Sequence, residues 1–320
     1  MIEKADGGTK AFGAMRSTRI SGLSKAIPLV PLTTRTSDKA HDGFVAGKSE
    51  PSLKLARFSL SCVLAMSLFS WVPAKAQGES DVDLAKKLSN PVASMISVPF
   101  QFNWDTGIGP KDADRVVLNV QPVFPFPLNE DWNLISRTIL QISYLDSTAD
   151  GVDSAFGLGD TVQSFFFSPK EPTTSGWITG VGPVLLLPTA TEDAFKSKQW
   201  GLGPTAVALR QHDGWTYGGL ANHIWGVNNP SDREKISATF LQPFVSYTTP
   251  NAVTFLATTE STYDWKAEQW TVPIIAAVSK LTSIGDQKVS FQIGGRYYAD
   301  APEGGPDWGL RFTATFLFPK

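Results

Sequence analysis

Every even-numbered position is apolar in the segment Ile96-Ser97-Val98-Pro99-Phe100-Gln101-Phe102-Asn103-Trp104. A pleated strand sends alternate side chains to opposite faces, so this segment would have one apolar face and one largely polar face. The same period of two recurs along the chain and predicts twelve strands of about 9 to 13 residues each. These predicted strands cover residues 96–104, 116–126, 132–144, 156–167, 177–187, 200–210, 215–225, 236–247, 252–262, 270–279, 288–298 and 308–318.

The length and number of these segments favour strands that cross a membrane. A tilted strand needs about 9–11 residues to cross a bilayer, and bacterial single-chain barrels have an even number of strands. The connections after odd-numbered strands are longer on average than those after even-numbered ones, as expected for long outer loops and short periplasmic turns. The sequence therefore predicts an all-β fold: a closed antiparallel up-and-down transmembrane barrel of about twelve strands over residues 92–320.

Aromatic residues support the membrane assignment. Tryptophans cluster where the predicted strands begin or end, and amphipathic rings favour the headgroup level of a bilayer. These tryptophans are Trp104, Trp132, Trp177, Trp200, Trp215, Trp225, Trp270 and Trp308. The last predicted strand alternates up to Phe318, which is typical of the C-terminal strand that the barrel-insertion machinery recognises. We therefore expect two partners, outer-membrane lipid and that machinery, and a location in the outer membrane of a Gram-negative bacterium.

The composition excludes other classes of protein. Charged residues make up only 18% of the 320 residues, yet the chain lacks the several apolar runs of about 20 residues that a helical membrane bundle needs. The net charge of −2 argues against nucleic acid as a partner, because such proteins usually carry a basic field. Residues 1–76 contain 11 Lys and Arg against 5 Asp and Glu, so the excess of positive charge is confined to the N-terminal part.

That boundary coincides with a predicted cleavable signal peptide over residues 54–76. Lys54 and Arg57 form a basic start, an apolar stretch follows, and Ala74-Lys75-Ala76 is a small-residue cleavage site. Residues 1–53 are polar and without apolar periodicity, so we expect either a disordered extension or a start codon assigned too far upstream.

Residues 77–91 would then form a short periplasmic N-terminal segment. Within it, residues 81–88 have an acidic start and end on Lys86-Lys87 before Pro91, a pattern that predicts a short helix. Two roles stay open for this helix: it could plug the periplasmic mouth of the barrel, or it could be a mobile tail.

The sequence offers little for catalysis. The single cysteine, Cys62, lies inside the predicted signal, and His212 and His223 are the histidines of the mature chain. We therefore expect no disulfide, no metal site and no cofactor. An outer-membrane lipid hydrolase is the enzymatic alternative, and it would need a serine activated by a histidine that a third polar group orients. No spacing around His223 singles out such a serine, so we predict that the protein is not an enzyme.

Polar residues within the predicted strands are the candidate functional residues. An Arg or Lys on the lipid face at mid-membrane costs roughly 2–4 kcal/mol, so strand arginines should face the lumen. The candidate lumen-lining residues are Arg137, Gln141, Gln163, Gln242, Glu260, Gln292, Arg296 and Arg311. A barrel of about twelve strands lies between the filled eight-stranded barrel and the open porin. The same residues could therefore line a narrow channel or fill the interior as paired charges.

Several motifs resemble a known protein family. The run Leu84-Ala85-Lys86-Lys87-Leu88-Ser89-Asn90-Pro91-Val92-Ala93, together with the strand that follows it, is similar to the opening of a proteobacterial outer-membrane family. Gly157-Leu158-Gly159-Asp160-Thr161, Phe165-Phe166-Phe167-Ser168-Pro169 and Leu241-Gln242-Pro243-Phe244 fit the same pattern. That family is often labelled "transporter", or mislabelled neuromedin U, and is similar to the barrels of the meta-pathway phenol-degradation group.

The resemblance extends over residues 84–320. It implies an outer-membrane barrel that allows passive passage of small molecules, hydrophobic or aromatic ones among them, without naming the solute. A structural or sensory barrel without transport is the alternative.

Overall fold

A computed structural model describes residues 80–228 and 233–318, so the predicted signal peptide and residues 1–53 lie outside the described residues. Within these ranges the chain forms the helix α1 (Asp81–Leu88), a 3₁₀ turn (Gly109–Lys111) and fifteen strand segments. The strand segments are β1 (Ile96–Ile108), β2 (Ala113–Val120), β3 (Val123–Pro127), β4 (Trp132–Leu145), β5 (Ala155–Leu158), β6 (Thr161–Pro169), β7 (Trp177–Leu187), β8 (Gly201–His212), β9 (Trp215–Gly226), β10 (Ser237–Thr248), β11 (Val253–Thr259), β12 (Ser261–Asp264), β13 (Gln269–Ile284), β14 (Gln287–Asp300) and β15 (Trp308–Phe318).

Three pairs of segments continue one another, so the fifteen segments make twelve barrel strands. Pro122 separates β2 from β3, and proline cannot donate to a strand ladder. Glu260 separates β11 from β12 and lies opposite Pro273 of β13. Pro273 has no backbone N–H to donate to the ladder. Between β5 and β6 the pairing with β4 shifts by one residue, which is a β-bulge.

The sheet closes on itself. Each barrel strand pairs antiparallel with the next along the chain, and β1 pairs with β15 from Ile96 opposite Phe318 to Thr106 opposite Trp308. A closed sheet has no free edge, so its backbone groups are hydrogen-bonded even where water is excluded. The predicted twelve-stranded antiparallel barrel is confirmed.

Side chains alternate between the two faces as the sequence predicts. On β1, Asn103 and Asp105 are buried inside the barrel, whereas Phe102 points outward and is 42% exposed. On β15, Arg311 is buried inside and Phe312 is exposed outside. The inward side chains of these two strands are therefore polar and the outward ones apolar, which is the distribution expected of a barrel surrounded by lipid.

The turns and aromatic residues define the two ends. Asp213 and Gly214 join β8 to β9 with φ values of 47° and 84°, as a two-residue type I′ hairpin requires. We call the end that carries α1 and such short turns the periplasmic end, following the rule for outer-membrane barrels. Exposed tryptophans lie on the outer surface near both ends: Trp132, Trp177, Trp200, Trp215, Trp225 and Trp308. No helix among the described residues is long and apolar enough to span a bilayer.

Candidate functional site: the barrel lumen

The N-terminal helix α1 forms where the sequence predicts it. The Ser80 side chain accepts a hydrogen bond from the backbone N–H of Asp83 at 3.2 Å and so caps the helix. Asp81 and Asp83 lie in its first turn and Lys86 and Lys87 in its last turn, an arrangement that complements the helix dipole.

Helix α1 lies inside the periplasmic end of the barrel. Leu84 is 1% exposed and packs, with Ala85, against Leu281 of β13 and Leu317 of β15. Burial of one leucine side chain contributes about 1.5–3 kcal/mol. Helix α1 is therefore packed into the mouth of the barrel and does not extend from it as a tail.

Polar contacts also hold α1 and the residues that follow it. The Lys288 ammonium lies 2.6 Å from the Asp81 carboxylate, and the Gln211 side-chain amide donates to the Lys86 carbonyl at 2.8 Å. Further along, Val92 is buried in a cluster of interior apolar side chains. The cluster, which we call the apolar wall, consists of Ile135, Phe166, Val207, Leu209 and Leu220.

An ion-pair group lies in the half of the lumen away from α1. The Asp105 carboxylate accepts from Arg115 at 2.8 Å through one oxygen and from Arg296 at 2.9 Å through the other. Asp105 lies opposite Gly309 of β15, where an added Cβ would be 2.5 Å from a carboxylate oxygen. Glycine at this position therefore leaves the space through which Asp105 reaches Arg296 two strands away.

A second ion pair crosses the interior between more distant strands. The Arg311 guanidinium donates through both terminal nitrogens to the two oxygens of Glu260, each at 2.7 Å, and through Nε to Asn103 at 2.7 Å. Such a bidentate pair is among the strongest side-chain contacts. We call Asp105, Arg115, Arg296, Glu260 and Arg311 together the charged network. Among the described residues no group of His, Cys, Asp or Glu could hold a metal ion.

Arg137 is the interior arginine that stands apart from this network. Its guanidinium donates to the Gln121 side-chain oxygen at 2.8 Å. In the part of the chain that the structure describes, it has no carboxylate within ion-pair distance.

Seven of the eight predicted lumen-lining residues face the interior. Besides the three arginines and Glu260, the glutamines Gln141, Gln242 and Gln292 lie at inward positions of their strands. Gln242, Gln292 and Arg137 share one cavity. Gln141 lies nearer the outer end, against Gly159.

The prediction was wrong for Gln163, which lies on the outward face of β6 and does not line the lumen. It pairs with Thr138 of β4, whose hydroxyl donates to the Gln163 oxygen at 2.5 Å, and its amide donates to the Ser136 hydroxyl at 3.0 Å. Its alternation with the outward Phe165 and Phe167 already indicated this face. A glutamine is tolerated there because neighbouring side chains satisfy its amide.

Asp105 and Arg115 are the interior residues that sequence reasoning missed. Asp105 follows the predicted end of the first strand at Trp104, and Arg115 precedes the predicted start of the second at Val116. Both continue the inward alternation of their strands, so the signal was present. The error lay in the strand boundaries, which the period of two does not fix.

The outer end of the lumen is narrowed by the connection between β7 and β8, residues 188–200. The hydroxyl of Thr191 in this connection accepts a hydrogen bond from the Leu158 backbone N–H at 3.0 Å. The same hydroxyl oxygen would lie only 2.5 Å from a Cβ added to Gly157. Gly157 faces inward, so this loop folds over the inner side of β5. Asp160 fixes the loop by accepting from the backbone N–H groups of Ala190 at 3.0 Å and Ser197 at 2.8 Å.

A cavity of about 240 Å³ remains between α1 and the interior strands. Arg137, Gln121, Gln242 and Gln292 supply a cation and three amides to its lining. Serine and threonine hydroxyls supply much of the rest: Ser246, Thr254, Thr258, Ser279, Ser290, Thr313 and Thr315. The arrangement provides a water-compatible space with hydrogen-bonding groups and two cationic side chains, Arg137 and Lys87.

No protein-family model matches this sequence, and no curated protein matches it in sequence. Solved structures match its fold. An outer membrane channel from Pseudomonas putida F1 is 13% identical and has a TM-score of 0.56, with 70% of this chain and 96% of that chain covered. Outer membrane phospholipase A from Escherichia coli is 12% identical, with a TM-score of 0.42 over 76% of this chain and 99% of that chain.

At such identities the likeness to the Pseudomonas channel shows the fold alone. Together with the closed sheet and the apolar outer face, it shows that the chain has the fold of Gram-negative outer-membrane β-barrels.

Proposed function

We propose that this protein is an outer-membrane channel for passive passage of small molecules, with α1 as the movable plug of its periplasmic mouth. The observation that carries the proposal is the cavity, which lies inside an otherwise closed barrel and has α1 as part of its lining. A barrel that serves only as a membrane anchor needs neither a polar cavity nor a separate segment inserted into its mouth.

The contacts of α1 are few enough to allow displacement. The Asp81–Lys288 pair is partly exposed, with side chains 46% and 30% accessible, and such pairs contribute only about 0–1 kcal/mol. The main apolar anchor is Leu84, whose burial contributes about 1.5–3 kcal/mol. These contributions correspond to a displaced state that is a minor but accessible part of the ensemble.

The proposed solutes are small molecules with hydrophobic or aromatic character. Two observations support this class: the resemblance to the phenol-degradation barrels, and the apolar wall beside the cavity. Val92 covers that wall, where it packs against Ile135 and Phe166. Movement of the N-terminal segment would therefore expose an apolar path next to the polar one.

Planar-bilayer conductance tests the proposal. We expect discrete current steps from the mature chain, and larger or more frequent steps from a variant that lacks residues 81–88. Heat-modifiable migration on SDS gels controls for folding of both proteins. If both fold and neither conducts, the protein is a structural or sensory barrel and the channel proposal fails.

Lipid hydrolysis is the second candidate, and one contact favours it. On the outward face, His223 Nε2 lies 3.4 Å from the Ser237 hydroxyl, and Nδ1 lies 2.7 Å from the Thr239 hydroxyl. A serine, a histidine and an orienting group are the parts of a serine hydrolase. Here the orienting group is a neutral hydroxyl that also accepts from Trp265 at 2.8 Å. Phospholipid hydrolysis by the purified protein that Ser237→Ala abolishes would establish this function, and we expect none.

A further inference from the structure

The charges of the lumen do not balance around Arg137. Arg115 and Arg296 share the two oxygens of Asp105. Arg311 occupies both oxygens of Glu260. Arg137 has an amide oxygen as its protein partner and no ion-paired carboxylate among the described residues.

The unpaired guanidinium is held in a defined position. An arginine carries five N–H donors in a planar fork. Among the described residues, Arg137 has one protein acceptor: a terminal nitrogen donates to the Gln121 side-chain oxygen at 2.8 Å. That bond fixes the side chain from one edge and leaves the other donors without a protein acceptor. Arg137 lines the cavity next to α1, so its free donors are available to a molecule within it.

We propose that this cavity binds a small organic carboxylate, with the Arg137 guanidinium as the group that pairs with the anion. A carboxylate matches the planar fork of arginine with two parallel hydrogen bonds. Lys87 also lines the cavity, but it has an interaction of its own, so the anion is assigned to the Arg137 fork. The proposal rests on the proposed channel function for its physiological meaning, since it names a class of solute for that lumen.

The remaining lining indicates the body of the ligand. Phe244, Leu256 and Val123 give the cavity apolar surface, while Gln242 and Gln292 add amides. The volume of about 240 Å³ lies below the range of about 300–1,000 Å³ typical of drug-sized ligands. A single ring or a short chain with one carboxylate fits these limits, and benzoate is a suitable probe.

The test is equilibrium dialysis of radiolabelled benzoate against the folded protein in detergent, with the uptake by empty micelles subtracted. Benzamide, which has nearly the same shape as benzoate but no charge, is the control ligand. We expect saturable binding of benzoate to the wild type and about tenfold weaker binding to Arg137→Gln, because a charge-assisted pair is lost. Arg210→Gln removes a cation from an outward position of β8 and should leave benzoate binding unchanged.

Two outcomes would overturn the site: equal benzoate affinity of the wild type and Arg137→Gln, or equal affinity of the wild type for benzoate and benzamide. If Arg137→Gln does not fold, Arg137→Lys keeps the charge without the planar fork, and we expect it to bind benzoate severalfold more weakly than the wild type. Equal affinity of a folded Arg137→Lys would then count against the proposed geometry.

The conductance experiment separates this site from the channel function. A wild type that conducts in bilayers but shows no saturable benzoate binding would refute the carboxylate site alone. A wild type that binds benzoate through Arg137 but never conducts, with or without α1, would refute the channel and leave the site.

Discussion

The two sides of the barrel interior differ in how their side chains are satisfied. On the side of β1, β2, β14 and β15, Asp105 lies between the guanidinium groups of Arg115 and Arg296 and forms an ion pair with each. On the side of β4 to β9, the interior consists largely of the apolar wall. The first side keeps its charges by pairing them, and the second avoids charges.

Arg137 departs from this division. It lies on β4, two residues after Ile135 of the apolar wall, yet it is a cation that has an amide as its partner. If the lumen needed only to be filled, an apolar side chain at this position would avoid the desolvation of an unpaired charge. This difference is what the proposed carboxylate site accounts for: the network would stabilise the fold, and Arg137 would pair with the ligand.

The largest expected effect comes from breaking the paired side. Asp105→Asn removes the shared anion and leaves Arg115 and Arg296 as unpaired, largely buried cations. Removing one partner of a buried pair destabilises proteins by about 3–5 kcal/mol, and we expect a loss in that range. Urea unfolding of the barrel in lipid vesicles, followed by tryptophan fluorescence, measures it.

The matched control for Asp105→Asn is Asp150→Asn. Asp150 lies in an outer connection, where its hydrogen bond with Lys111 lowers its pKa, but it is fully exposed. Its replacement should leave the unfolding curve unchanged. An Asp105→Asn barrel that unfolds at the same urea concentration as the control would show that the charged network does not stabilise the fold.

A smaller loss is expected when the paired side is perturbed without a change of charge. A Cβ at Gly309 would lie 2.4 Å from the Trp104 carbonyl oxygen and 2.5 Å from an Asp105 oxygen. Gly309→Ala should therefore cost about 1–3 kcal/mol of unfolding free energy, the range for overpacking.

Gly295→Ala is the control for Gly309→Ala, because no heavy atom lies within 4 Å of a Cβ at Gly295. Gly295 faces outward on β14, so its new methyl group meets no protein atom, whereas that of Gly309→Ala would point into the packed interior. Equal unfolding midpoints in urea would contradict the role given to Gly309.

Much of this fold could be predicted from the sequence, because the period of two reports directly which side chains meet lipid. The alternation in β1 and β15 gave the strands, their faces and the apolar exterior. It did not fix strand ends, and so it missed Asp105 and Arg115, each just beyond a predicted boundary. Gln163 was misplaced because its polarity was weighed above its register with Phe165 and Phe167.

The partners across the lumen could not be predicted. Glu260 and Arg311 meet because closure and the tilt of the strands bring together residues on strands that are not neighbours in the sheet. Alternation along one strand carries no information about such contacts. For the same reason the sequence did not show that Arg296 and Arg311 each form an ion pair with a carboxylate while Arg137 does not.

This difference among the three arginines predicts an effect on ion selectivity. Arg137→Gln removes the unpaired cation from the lumen. One unit charge lowers the energy of a passing anion, and raises that of a passing cation, by about 1 kcal/mol each at about 4 Å in water. We therefore expect the ratio of anion to cation permeability to fall by up to about thirtyfold. Reversal potentials across a salt gradient measure this ratio.

Arg210→Gln again provides the control for selectivity, since Arg210 faces outward at the periplasmic end. It should conduct with the selectivity of the wild type. A shift of the same size in both variants would mean that the general charge of the barrel, and not the unpaired group in the lumen, sets the preference.

The smallest expected effect concerns the contact between the paired side and α1. Lys288→Ala removes the ion pair with Asp81, a 2.6 Å contact between partly exposed side chains, so it should weaken the hold on α1 by about 0.2–1 kcal/mol. We expect channel openings to become about 1.4- to fivefold more frequent in dilute salt, because RT is about 0.6 kcal/mol. In 1 M salt the difference from the wild type should nearly vanish, since the screening length falls to about 3 Å. Lys280→Ala is the matched control, because Lys280 lies on β13 at the same end of the barrel and donates to the Asn251 carbonyl, not to α1. An equal rise in openings for both variants, or a rise for Lys288→Ala that persists in 1 M salt, would show that this ion pair does not hold the plug.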